Sequence, residues 1–98
     1  MIESHRDLLV WQKAVDLVVE CYEVCQHFPD SERYGLTSQI RRAASSIPAN
    51  IAEGKARGTT GAFINYLSIA DGSLAELDTH WEVSVRLKYY LAPRSGCP

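Results

Sequence analysis

The sequence predicts an all-α fold built as an antiparallel helical bundle. Three long segments carry apolar residues at alternating three- and four-residue spacing, and no segment alternates apolar with polar as a strand would. The breaks between those segments are short and marked by proline or glycine. Ninety-eight residues at 46% hydrophobic content fit one small domain, expected over residues 1–91.

The first helix is expected over about residues 8–28. Asp7 is placed to cap it, and Trp11, Ala14, Val18, Cys21, Cys25 and Phe28 form an apolar stripe that Val15 and Tyr22 widen. Gln12, Lys13, Asp16, Glu20, Glu23 and Gln26 make a solvated opposite face, and Pro29 stops the helix. Residues 29–35 then read as a turn.

The second helix, expected over about 36–55, is the one around which the rest is organised. Ile40, Ala43 or Ala44, Ile47 and Ile51 mark its buried side. Pro48 removes the hydrogen bond to the Ala44 carbonyl and crowds the preceding turn, which predicts a bend. Beside the apolar stripe, Arg42, Ser46, Asn50 and Glu53 recur at helical spacing and read as a buried structural polar network.

Gly54 and Gly58 break the chain, and Thr59 or Thr60 is suited to cap a third helix over about 60–88. Phe63, Leu67, Ala70, Leu74, Leu77 and Trp81 form its stripe, and Gly72-Ser73 offers a small surface for close helix approach. Short connections make consecutive helices antiparallel neighbours. Arg42 and Glu53 stand roughly 16 Å apart along the helix at ~1.5 Å per residue, too far to pair. Folding the third helix back brings residues 74–76 level with Arg42, so Glu76 is its expected partner in a partly buried ion pair. Glu53 is expected to meet the start of the third helix. Replacing Glu76 by alanine should then destabilise the fold strongly.

The net charge of −2 is unevenly spread. Residues 1–32 hold seven acidic and two basic groups, whereas residues 33–57 hold five basic (Arg33, Arg41, Arg42, Lys55, Arg57) and only Glu53 as an acid. A basic contact surface for RNA or DNA is therefore placed on Arg41, Lys55 and Arg57, the rival reading being a solvated face paired with the acidic first helix. Lys55 and Arg57 also flank the start of the third helix, where free backbone N–H groups could hold a phosphate.

Catalytic and metal-binding sets are not found. Cys21 and Cys25 sit one helical turn apart on the buried stripe and read as core; His5, His27 and His80 are scattered. The expectation is a non-enzymatic protein with no cofactor and no metal. The odd cysteine count fits a reduced, cytoplasmic chain, and no apolar run approaches membrane-spanning length.

Several runs carry a family resemblance: Asp7-Leu8-Leu9-Val10-Trp11-Gln12-Lys13-Ala14, Glu32-Arg33-Tyr34-Gly35-Leu36-Thr37-Ser38-Gln39, Ser46-Ile47-Pro48-Ala49-Asn50-Ile51-Ala52-Glu53-Gly54 and Ala70-Asp71-Gly72-Ser73-Leu74-Ala75-Glu76-Leu77. Over roughly residues 7–87 the chain resembles the four-helix-bundle proteins encoded in 23S rRNA intervening sequences. That family, also called S23 ribosomal protein-like, includes the accessory protein of diversity-generating retroelements. The resemblance implies four antiparallel helices and self-association into a ring, commonly a pentamer. For the retroelement members it further implies RNA or DNA binding beside a reverse transcriptase. The chain departs from the pattern at Lys88, and Ala92-Pro93-Arg94-Ser95-Gly96-Cys97-Pro98 cannot form a fourth helix. An irregular tail over 92–98 is expected instead, with the groove of the missing helix open or filled by a neighbour. The functional expectation is an oligomerising helical module that binds nucleic acid through its central basic block; the alternative is a pure assembly protein that does not.

Overall fold

The computed structural model describes residues 4–89, and among these it is all helical. A short 3₁₀ turn (His5–Asp7) leads into α1 (Leu9–Cys25); a second 3₁₀ turn (Asp30–Glu32) leads into α2 (Leu36–Ala56); α3 (Thr60–Arg86) follows. The result is a three-helix bundle and not a four-helix one: no fourth helix lies among the described residues. The tail expected over 92–98 falls outside them.

The helix ends follow local chemistry. Ser4 and Asp7 form a reciprocal capping box on the first 3₁₀ turn, so Asp7 is consumed there and α1 begins after Leu8 with no side-chain cap. α1 stops at Cys25, short of the expected Phe28, because the next amides turn to tighter i−3 carbonyls. α3 is capped by Thr59, whose Oγ1 accepts the Ala62 N–H at 3.2 Å.

α2 is the middle layer, and it runs unbroken through Pro48. Ile40, Ala44 and Ile51 are 0–1% exposed, and Ala43, Ile47, Pro48 and Gly54 are also buried. Removing one such isoleucine from water contributes roughly 1.5–3 kcal/mol. α1 meets this face with Ala14, Cys21 and Cys25, and α3 meets it with Ala70 and Leu77. Gly54 sets the closest α2–α3 approach: a Cβ built there would stand 2.6 Å from Tyr66 Cβ. Gly72, expected to serve such a contact, has open space around it.

α1 and α3 both pack on α2, and their backbones stand further from each other than from it. No Cα of α1 comes within 8 Å of one of α3. The bundle is therefore an open layer, 49 × 21 × 18 Å, with a trough between its outer helices.

Candidate functional site

The trough between α1 and α3 is concave and largely apolar. It is an open cleft of about 470 Å³, with Leu17, Cys21 and Val24 on the α1 wall and Leu74, Leu77 and Trp81 on the α3 wall. Cys21 and Leu77 form the floor at 6% and 5% exposure, while Leu74 is 45% exposed although it belongs to the same stripe. Three acidic side chains, Glu20, Glu23 and Asp78, complete the lining, all exposed. None of the three is in an ion pair with another described residue, and no Lys or Arg among the described residues lines the cleft.

Cys21 is held as a thiol there. Burial, then the neighbouring Cys25 and Glu20, pushes its pKa up to about 11. Cys25 is raised by burial too, with the Arg41 guanidinium pulling in the opposite direction. Both are free cysteines, and among the described residues no cluster of three or more His, Cys, Asp or Glu is arranged to hold a metal ion.

The three expected nucleic-acid contacts sit in different surroundings. The Arg41 guanidinium lies 4.7 Å over the Tyr22 ring of α1, and its Nε is buried without a hydrogen-bond partner. It is spent on the α1–α2 contact. Arg57 bonds Glu53 Oε2 and Tyr66 Oη, each at 2.9 Å. Lys55 alone remains uncommitted among the described residues, beside a shallow depression formed with Leu8, Gly58, Thr59, Thr60 and Phe63.

The expected polar network also resolves differently. Ser46 Oγ donates to the Ala43 carbonyl and Asn50 Nδ2 to the Ser46 carbonyl, so both bond their own helix and neither reaches α3. Arg42 is exposed, and it makes no ion pair with Glu76. Glu76 is exposed as well, 4.0 Å from His80 Nε2 on the same helix. Both side chains are exposed, so the partly buried pair expected between α2 and α3 does not form. Glu53 reaches α3 only through Arg57 and the Tyr66 hydroxyl.

Sequence reasoning missed one polar junction entirely. Glu32 Oε1 accepts the Leu36 N–H at 3.0 Å, and its Oε2 accepts the Tyr89 hydroxyl at 2.9 Å. Those two hydrogen bonds hold the Glu32 carboxyl below the usual carboxylate range, and the same bond raises the Tyr89 hydroxyl. Tyr89 also packs on Phe28, with ring centroids 5.5 Å apart. Its placement follows Lys88 at φ 68°, an unusual backbone for lysine.

These features define a small helical bundle with an open apolar cleft. The chain matches the family model of the 23S rRNA-intervening sequence protein over residues 6–94, and it belongs to that family. No curated protein matches it. The family is not a known enzyme family, and no helix among the described residues is long and apolar enough to cross a membrane.

Proposed function

We propose that this protein is a non-enzymatic assembly module that works by helix docking in the α1–α3 cleft. The observation that carries this reading is Leu74: a member of the α3 core stripe that stands 45% exposed on one wall of an apolar trough, facing a second wall from α1. A helix laid in the trough would bury both walls at once, as the third side of a bundle does. Nucleic-acid binding through the central basic block is the weaker reading, because Arg41 is engaged with Tyr22 and Arg57 with Glu53 and Tyr66.

The test uses an uncharged amphipathic peptide of about 20 residues, long enough to hold helix, with a leucine stripe flanked by glutamine. Fluorescence anisotropy should report saturable binding to the full chain and its loss in Leu74→Asp, with helical content unchanged. Binding that survives Leu74→Asp, or no binding to the wild-type chain, contradicts the proposal. Salt-sensitive binding of structured RNA that Lys55→Ala removes would instead support the nucleic-acid reading.

A further inference from the structure

Building on the docking role above, we infer that the cleft selects a cationic partner: an amphipathic helix of another polypeptide whose apolar stripe is flanked by lysine or arginine. The inference comes from the charges around the trough. Its apolar floor and walls are bordered by Glu20 and Glu23 from α1 and by Asp78 from α3. A helix seated between α1 and α3 would present its flanking positions to both acidic borders. Basic residues there would pair with carboxylates that have no ion-pair partner among the described residues. Acidic residues there would be repelled from both sides, so the borders choose by sign.

The same arrangement argues against the occupants that first suggest themselves. A second copy joined cleft to cleft would oppose three carboxylates with three more, the like-charge juxtaposition that discourages pairing. Nor do the described helices include a suitable one to lend. α2 is the basic one, with Arg41, Arg42 and Lys55, but its apolar stripe of Ile40, Ala44, Ile47 and Ile51 is buried against α1 and α3. α1 and α3 carry acidic residues beside their apolar stripes. Anionic membranes and nucleic acid are disfavoured at this site by the same three carboxylates.

Three peptides of one length and one leucine stripe form the test, with flanking positions all lysine, all glutamine or all glutamate. Against the full chain at low salt, the lysine peptide should bind about tenfold or more tightly than the glutamine peptide, and the glutamate peptide least. In the chain carrying Glu20→Gln, Glu23→Gln and Asp78→Asn, exposed positions whose change leaves the core intact, the lysine advantage should vanish while glutamine-peptide binding persists. Glu76→Gln, outside the cleft lining, should leave the advantage in place. Equal binding of lysine and glutamine peptides to the wild-type chain would overturn charge selection while leaving docking intact. Failure of every peptide to bind would overturn both. A lysine advantage that survives the triple substitution would also overturn the inference, since the attraction would then lie elsewhere. A stable homodimer whose mass is unchanged by the lysine peptide, and which Leu74→Asp dissolves, would assign the cleft to a second copy instead.

Discussion

The Tyr89 hydroxyl donates to Glu32 Oε2 at 2.9 Å across 57 residues of sequence, while the other oxygen of the same carboxylate takes the first amide of α2. One side chain thus ties the C-terminal end of α3 to the turn after α1 and caps α2, whose N-cap residue, Gly35, has no side chain to do so. A Cβ at Gly35 would stand 2.7 Å from Glu32 Oε1, so a side chain there would push the capping carboxylate aside.

This junction predicts a pH dependence. Glu32 titrates lower in the folded chain than in the unfolded one. Its contribution is present above the ordinary carboxylate pKa of about 4.3 and fades as pH falls through the lower folded value. Tyr89, raised by the same bond, contributes below the ordinary tyrosine pKa of about 10 and fades as pH rises through its folded value. Glu32→Gln should lower the urea midpoint at about pH 7, and the gap to wild type should narrow by about pH 3. An equal gap at both pH values would show that ionised Glu32 plays no part.

Gly54→Ala should destabilise by about 1–3 kcal/mol, since the new methyl meets Tyr66 Cβ and lies 3.3 Å from Phe63 Cδ1. Alanine for glycine within a helix otherwise gains roughly 0.5–1 kcal/mol. Urea unfolding therefore separates the two outcomes by sign, and a stabilised variant would mean the helices are not in contact there.

Glu76→Ala should change stability by less than about 0.5 kcal/mol, because the side chain is exposed and its one close partner among the described residues, His80, lies a turn away on the same helix at 4.0 Å. Ile40→Ala, by contrast, should cost about 2–5 kcal/mol, as expected for a fully buried side chain. Reversal of that order in urea unfolding would restore the buried Arg42–Glu76 pair expected from the sequence.

Cys21 should resist alkylation in the native chain. Its thiol pKa of about 11 leaves little thiolate near neutrality, and 6% exposure hinders access. Because the folded value is raised, the associated stability holds below the ordinary thiol pKa and is lost as pH rises toward 11. Mass spectrometry of iodoacetamide adducts should find Cys21 modified slowly in buffer and quickly in urea; equal rates would contradict its burial.

The helices were legible because burial on one side leaves a periodic trace: Ala14, Cys21 and Cys25, then Ile40, Ile47 and Ile51, then Ala70 and Leu77 all lie in the core. Periodicity names the apolar face of a helix but not what covers it, so Leu74 reads like Leu77 although only Leu77 is buried. Arg41 follows Ile40 at the edge of the stripe, where a long stem can lie along a neighbour's ring; sequence shows the charge but not that placement. Gly54 and Gly72 look alike in sequence, and only the crossing of α2 with α3 distinguishes them. The Glu32–Tyr89 bond joins residues too distant in the chain to leave any local pattern.

The open cleft is tested most directly by amide chemical shifts of the isotopically labelled full chain during titration with the lysine-flanked leucine peptide. Docking in the trough predicts changes concentrated at Leu17, Cys21, Val24, Leu74, Leu77 and Trp81, with Arg42, Ala49 and Glu53 on α2 unmoved. Changes centred on α2 or on the depression beside Lys55, or none at saturating peptide, would contradict it.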